Sequence, residues 1–145
     1  MTEELLVYAI LLESGLTSND EYNEYLDRTF MENPDNSLLF ELEVCFKDIN
    51  KIIHTIWDYF YNNESSFDYN RFGKFLTEKL EIIYNVMDIQ PFSDKMYFIW
   101  RLLPDKMQEN ELFENLRYAD ELLLWTEEKQ LREYYKKLFD FYKET

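Results

Sequence analysis

Carboxylates are the only reactive side chains that this chain holds in quantity. Its 145 residues include 30 Asp and Glu, against a single histidine and a single cysteine. Three pairs share the spacing Glu-x-x-Glu: Glu21 with Glu24, Glu78 with Glu81, and Glu111 with Glu114. On a helix this spacing places both carboxylates on one face, and hard cations such as Mg²⁺ prefer several oxygen ligands. A metal site built from carboxylates is therefore the first chemistry to consider.

A metal-dependent hydrolase is nevertheless a weak interpretation of these pairs. All-helical, Mg²⁺-dependent nucleotide pyrophosphohydrolases combine Glu-x-x-Glu with Glu-x-x-Asp on a neighbouring helix. No clean Glu-x-x-Asp follows any of the three pairs at a suitable distance. In a chain this rich in acid, such pairs also arise by chance. We therefore predict no metal and no cofactor.

The remaining reactive residues also argue against an enzyme. A ferritin-like di-iron site needs two Glu-x-x-His pairs, which the single His54 cannot supply, and zinc sites built on several His and Cys fail likewise. His54 lies on a polar helix stripe and should face solvent. Cys45 lies in the apolar stretch Val44-Cys45-Phe46 and should be buried and inert. The chain also lacks a Gly-x-Ser-x-Gly nucleophile elbow, so we predict that it is not an enzyme.

The negative charge is concentrated in one half of the chain. The net charge is −15. Residues 1–70 hold fifteen acids against Arg28, Lys47 and Lys51, a net charge of −12, whereas residues 71–145 hold fifteen acids against twelve bases, a net charge of −3. A surface of one sign attracts molecules of the opposite sign and repels phosphate. The sequence therefore predicts a basic protein partner and no direct binding of nucleic acid.

Aromatic residues are the second unusual feature, at 19% of the chain. Trp57, Tyr59, Phe60 and Tyr61 must point in several directions around one helix, so a single core face cannot bury all four. Tyr and Trp are enriched at binding hot spots. We predict a partner-binding face that combines acids and aromatics of the first half: Glu21, Glu24, Asp27, Glu41, Glu43, Asp48, Asp58, Tyr22, Tyr25, Trp57 and Tyr61.

These features favour a small acidic interaction module that binds and neutralises a basic partner. Immunity proteins, antitoxins and phage-encoded inhibitors are similar to it in size, charge and composition, and mimicry of nucleic acid is a variant of the same idea. One alternative is a structural or regulatory subunit of a larger assembly, in which the acid serves solubility and the chain self-associates, for instance as a homodimer. The other is the carboxylate-metal nucleotide hydrolase.

The elements that must position these residues are all predicted to be helices. Gly and Pro number only two and three, and helical spacing recurs throughout. We expect one all-α domain over residues 1–145, an irregular bundle of six or seven helices around a long central helix at about 36–62. Along that helix Leu38, Leu42, Cys45, Ile49, Ile52, Ile56 and Tyr59 form an apolar stripe, which Phe46 widens.

Local signals place the other helices. The apolar run Leu5 to Leu12 should be buried on every side and end at Gly15, and Ser18 with Glu21 forms a capping box. Asn33-Pro34 should end the second helix. In the second half we expect helices at 69–89 (ended by Pro91), after Ser93, at 105–117 and at 120–143, the last burying Leu123 and Leu124.

The predicted location is the cytoplasm, without membrane contact. The run Leu5 to Leu12 is far shorter than the roughly 20 residues that span a bilayer. The opening Met-Thr-Glu-Glu lacks the positive charge that begins a signal peptide.

Overall fold

The structure is a computed structural model that describes residues 1–45 and 47–144. Every regular element in that part of the chain is helical, so the prediction of an all-α fold is confirmed. The helices divide into two compact units, Met1–Asp68 (unit 1) and Tyr69–Thr145 (unit 2). The prediction of a single domain stays a prediction. The helices are shorter and more numerous than expected, because polar caps interrupt several of the apolar stripes.

In its described residues, unit 1 contains four α-helices: α1 (Thr2–Ser14), α2 (Asn19–Glu32), α3 (Ser37–Cys45) and α4 (Ile49–Asn62). Helix α1 packs against α4, and α3 packs against both α2 and α4. As predicted, the apolar run of α1 is the core of the unit, since every residue from Leu5 to Leu11 is buried. The helix ends where Gly15 adopts the left-handed conformation, at φ 75°, and its N–H donates to the Leu12 carbonyl.

The ends of α2 also follow the sequence signals. The Ser18 hydroxyl accepts the Glu21 N–H at 3.2 Å, as expected for the first half of a capping box. The helix ends at Glu32, one residue before Asn33-Pro34, because the residue preceding proline is driven out of the helical conformation. A short 3₁₀ segment, Glu64–Ser66, lies in the polar stretch Asn62-Asn63-Glu64-Ser65-Ser66 that follows α4.

The long central helix at 36–62 is the part of the fold prediction that was wrong. Helix α3 ends at Cys45 and α4 begins at Ile49. Between them Asp48 is extended, and its carboxylate accepts the backbone N–H of Lys51 at 3.2 Å. An aspartate that caps a new helix competes with continuation of the old one, even inside an apolar stripe. Phe46, predicted to widen that stripe, lies outside the described residues.

Unit 2 is built from α5 (Tyr69–Val86), α6 (Ile89–Leu102), α7 (Asp105–Gln108), α8 (Glu111–Glu114), α9 (Ala119–Trp125) and α10 (Glu128–Phe141). Two 3₁₀ segments, Asn115–Tyr118 and Tyr142–Glu144, follow α8 and α10. Helix α6 packs against the first of these and against α9, while α10 packs against α5 and α9. Phe92, Tyr135 and Phe139 are buried at the centre, with Tyr84 against all three rings.

Three boundaries in unit 2 differ from the sequence prediction. Pro91 does not separate two helices but lies in the first turn of α6, where its missing N–H costs nothing. Ser93, predicted as a cap, is therefore inside α6 and fully buried. The segment 105–117 divides where the Asn110 side chain accepts the Leu112 N–H and caps α8.

The predicted helix at 120–143 is also two helices. Helix α9 ends at Trp125, and the Thr126 hydroxyl donates to the Leu122 carbonyl, a local bond that competes with helix continuation. Leu124, predicted to face the core, is 77% exposed. Because the chain breaks at Thr126, the residues of α9 do not continue the apolar face of α10, and Leu124 lies at the surface.

Candidate functional site

The boundary between the two units coincides with the change in charge. No charged residue separates Asp68, where unit 1 ends, from Asn70, so unit 1 carries the whole net charge of −12. Its three basic side chains and its terminal amine can neutralise at most four of its fifteen acids. The charge asymmetry of the sequence is therefore a property of one folded body.

Most of this acid lies at the surface of unit 1. Eleven of the fifteen side chains are exposed: Glu13, Asp20, Glu24, Asp27, Glu32, Asp35, Glu41, Asp48, Asp58, Glu64 and Asp68. A half-buried position is found for Glu21 and Glu43, and both belong to the predicted face. All seven predicted acids thus reach solvent at least in part.

Helix α2 carries the first group of predicted residues. Glu24 and Asp27, three residues apart on one face, are exposed. The Glu21 carboxylate accepts a hydrogen bond from the Thr17 hydroxyl at 2.8 Å, which fixes it near the start of the helix. Tyr25 is half-buried, with its ring 5.0 Å from that of Tyr8 in α1. Tyr25 therefore presents only part of its ring to a partner.

Tyr22 is the predicted face residue that the structure corrects. It is 1% exposed and belongs to the core, where its ring meets the Tyr8 ring edge-on at 6.2 Å. Among residues 1–45 and 47–144, its phenol oxygen has no hydrogen-bond partner. Burial, with Cys45 and Glu43 nearby, raises the pKa of the phenol far above its usual range. Tyr22 is three residues from Tyr25, and the spacing of aromatics alone could not show which ring faces inward.

Asp27 and Glu43 are the two predicted acids that the fold brings into contact. They belong to α2 and α3, and both line a cavity of about 180 Å³ with Asn23, Leu26, Leu42 and Lys47. Partial burial, then a hydrogen bond with the Asp27 carboxyl, raises the pKa of Glu43. Two carboxylates this close favour sharing one proton. The cavity therefore holds two acids and one base, Lys47; Asn23 and Lys47, which line it, were not predicted.

The other acids of the face are spread over α3 and α4. Glu41 is exposed on α3, and Asp58 is exposed on α4. Asp48 is also exposed, but it caps α4, so it has a structural role beside any role in binding. All three contribute to the negative field of unit 1.

The aromatic part of the face is a stacked pair on α4. The rings of Trp57 and Tyr61, one helical turn apart, stack at 5.7 Å with 29° between their planes. Trp57 is half-buried and also meets the buried ring of Phe60, whereas Tyr61 is 67% exposed. As predicted, the aromatics of this helix point both inward and outward. The result is an aromatic surface on α4, the helix that also carries the exposed Asp58.

The other reactive residues have ordinary surroundings. Cys45 is buried, with its sulfur 3.9 Å from the Thr55 hydroxyl, and His54 is exposed, both as predicted. Within residues 1–45 and 47–144, no three His, Cys, Asp or Glu side chains are placed to hold a metal ion together. Glu81, from one of the Glu-x-x-Glu pairs, is bound to Lys143 at 2.9 Å.

No helix in the described part of the chain has the length and apolar character needed to cross a bilayer.

Comparison of the chain with protein-family models, with curated proteins and with solved structures finds no match. What can be inferred about function therefore comes from the surface of the molecule itself.

Proposed function

We propose that this chain binds and neutralises a basic protein, in the manner of an immunity protein, antitoxin or inhibitor, with unit 1 as the binding surface. The observation that carries the proposal is the net charge of −12 on one folded body, with eleven acids exposed. Such a field raises association rates from roughly 10⁵–10⁶ M⁻¹s⁻¹ toward 10⁸–10⁹ M⁻¹s⁻¹ at low salt. The cytoplasm stays the predicted site of the interaction.

In this proposal, charge and aromatics have different tasks. The exposed acids speed the encounter, whereas the stacked pair Trp57–Tyr61 holds the complex once it forms. Because Tyr61 is already packed on Trp57, its ring loses little conformational freedom when a partner covers it. An arginine of the partner is well suited to stack on this pair with Asp58 alongside.

The first test identifies the partner. The tagged chain of residues 1–145 is incubated with lysate of its native host and washed at low and then high salt, and the retained proteins are identified by mass spectrometry. The proposal expects one basic protein retained in stoichiometric amount. A bound partner that is acidic, or an empty lane at low salt, would contradict it.

The second test uses the purified partner and two matched triple variants. Glu24→Gln with Glu41→Gln and Asp58→Asn removes three exposed acids of unit 1, and Glu78→Gln with Glu109→Gln and Glu114→Gln removes three exposed acids of unit 2. Both raise the net charge by three. We expect the first set to slow association about tenfold at low salt and the second to change it by less than threefold. Equal effects would show that no local face directs the encounter.

A third variant tests the aromatic pair. Tyr61→Ala removes an exposed ring, so it should leave folding unchanged and speed dissociation about 30-fold, as expected for a hot spot of about 2 kcal/mol. Tyr118→Ala, which removes a 39% exposed ring of unit 2, is the control and should not change dissociation. If both variants dissociate at the same rate, Trp57 and Tyr61 are not part of the binding surface.

One observation favours the second candidate, a subunit of a larger assembly that self-associates. Leu124 and Trp125 at the end of α9 are 77% and 84% exposed. If they form a homodimer contact, the sedimentation coefficient should rise with protein concentration and stop rising in Leu124→Ser with Trp125→Ser. If the protein sediments as a monomer at all concentrations, the exposure of Leu124 and Trp125 does not support self-association.

A further inference from the structure

Helix α3 is apolar on two opposite faces, of which only one is buried. The helix packs against α2 and α4, and its buried side chains are Leu38, Leu39, Leu42 and Cys45. On the other face, Phe40 and Val44 are 61% and 67% exposed. A helix that is hydrophobic all round is normally covered all round. The exposed face of α3 is therefore a surface suited to a partner.

Phe40 and Val44, called here the α3 stripe, lie between two acids of the same helix. The two apolar residues are one helical turn apart and so are neighbours on the surface of α3. At about 100° per residue, Glu41 and Glu43 lie about 80° to either side of the stripe. Glu41 is exposed and Glu43 is half-buried. An apolar seam with a charged residue on each side is the arrangement by which coiled-coil helices select their partners.

The charge around the stripe has the same sign as the charge of unit 1. Beside Glu43 lies Asp27 of α2, and the two share their cavity with the base Lys47. Asp48 follows the end of α3, where its N–H donates to the Cys45 carbonyl at 3.2 Å. With Glu41, four acids stand against one base, which gives −3, or −2 if Asp27 and Glu43 share a proton. Local charge and the net charge of −12 therefore both favour a basic occupant.

We propose that the α3 stripe is the docking surface for an amphipathic basic helix of the partner. This inference rests on the proposed function, which makes the partner basic, and it adds the form of the segment that binds. Apolar residues of that helix cover Phe40 and Val44, while its lysines or arginines lie beside Glu41 and Glu43. A basic segment without an apolar face would leave the stripe in water. An acidic helix, or the same stripe of a second copy, would place acids against acids.

The chain contains a matched apolar pair without the acids. Ile82 and Val86 on α5 have the same spacing as the stripe and are 62% and 82% exposed. The residues that flank them as Glu41 and Glu43 flank the stripe are Ile83 and Asn85, which carry no charge. If apolar exposure alone decided docking, both pairs would bind the same helix. The proposal expects binding at α3 only.

The test is isothermal titration calorimetry of the chain of residues 1–145 with a synthetic peptide. The peptide consists of about 18 leucines and lysines, long enough to form a helix, with the leucines on one face. A control peptide has the same composition in an order that spreads the leucines around the helix. We expect one peptide per chain, bound at least tenfold more tightly than the control. Equal affinity for the two peptides, or tighter binding of a leucine–glutamate peptide of the first pattern, would overturn the proposal.

Two double variants locate the peptide. Phe40→Ser with Val44→Ser should weaken its binding about 30-fold, because two large apolar side chains lose most of the area that the peptide covers. Ile82→Ser with Val86→Ser makes the same change on α5 and should weaken binding less than twofold. All four side chains are exposed, so circular dichroism should show an unchanged fold. Equal weakening by both variants would mean that the α3 stripe is not the docking surface.

A change of charge tests the flanking acids without altering the stripe. Glu41→Lys should weaken the peptide about fivefold, because it replaces an attraction beside the stripe by a repulsion. Glu109→Lys makes the same change at an exposed position of unit 2 and should have less than a twofold effect. Equal effects of the two variants would show that only the overall charge attracts the peptide, which would contradict the proposed role of Glu41.

Failure of this inference differs from failure of the proposed function. The peptide needs no native partner, so its titration decides the docking surface even if the pull-down retains nothing. If a basic partner is retained but binds the Phe40→Ser, Val44→Ser chain as tightly as the unchanged chain, the proposed function stands and the α3 stripe is not its docking surface. If the unchanged chain dimerises in sedimentation and this variant does not, a second copy occupies the stripe and the inference is wrong.

Discussion

Replacing Gly73 by alanine should destabilise unit 2, although the same change favours most helices. Gly73 lies in the first half of α5, where alanine ordinarily gains about 1 kcal/mol over glycine. Here a Cβ would lie 2.7 Å from Cε1 of Tyr142 and closer still to its Cζ and Oη. No real Cβ approaches a ring so closely, and Tyr142 is only 3% exposed. The ring must therefore move.

The net effect follows from two opposing magnitudes. Forcing one extra methyl into a packed core costs about 2–3 kcal/mol when a ring must be displaced. Subtracting the helix gain of about 1 kcal/mol leaves Gly73→Ala destabilising by about 1–2 kcal/mol. In a Tyr142→Ala background the clash is absent, so Gly73→Ala should stabilise by about 1 kcal/mol. The sign of one substitution thus depends on a residue 69 positions later in the chain.

Urea unfolding of the four proteins of this double-mutant cycle measures both values. A common Trp57→Phe background leaves Trp100 and Trp125 as the fluorescent residues, so that fluorescence reports unit 2 while circular dichroism reports the whole chain. We expect a coupling free energy of about 2–3 kcal/mol between the two sites. If Gly73→Ala stabilises both backgrounds equally, the Tyr142 ring does not pack on α5 and the reasoning is refuted.

Three further substitutions test other contacts. Ser93→Ala should lower the free energy of unfolding in urea by about 1–3 kcal/mol, because it leaves the buried Tyr135 phenol without the hydroxyl that now lies 2.7 Å away. Adding Tyr135→Phe removes the unpaired phenol and should recover most of that loss. Asp48→Ala should lower the stability of unit 1 by about 1 kcal/mol, whereas Asp48→Asn removes the charge and keeps the cap, so only the alanine variant should unfold earlier. Because the pKa of Glu43 is raised, the folded protein holds this proton to higher pH than the unfolded chain does, so its stability should fall as pH rises above the ordinary pKa of a glutamic acid. Melting temperatures measured against pH should show this decline, and Glu43→Gln should flatten it. An unchanged slope in Glu43→Gln would contradict the contact with Asp27.

Sequence reasoning placed the helices best where a backbone signal and an apolar pattern agree. Three helix-end signals depend only on neighbouring residues, so the structure shows them where the sequence predicts them: the left-handed Gly15, the Ser18 cap and the Asn33-Pro34 ending. It failed where the two signals conflict. At Asp48 and Thr126 a polar side chain binds the backbone within an apolar stripe, and the local bond ended the helix.

The candidate site was predictable only in part for a related reason. Charge is additive along a chain, so the acidity of unit 1 could be read directly from its composition. Burial depends on which helices pack together, and no local rule distinguishes the buried Tyr22 from the half-exposed Tyr25. The contact between Asp27 and Glu43 likewise needs the packing of α2 on α3, which spacing along either helix does not contain.

The burial of α1 has a consequence for the synthesis of the protein. The run Leu5–Leu11 is apolar on all sides, and α4, which packs against α1, ends 48 residues after Ser14. At translation rates of about 5–20 residues per second, the ribosome needs roughly 2–10 s to make that stretch. Throughout this interval the apolar run of α1 lacks α4, and only α2, whose Tyr22 and Tyr25 rings pack on Tyr8, is available to cover part of it. The nascent polypeptide therefore offers chaperones a binding segment that the finished protein hides completely.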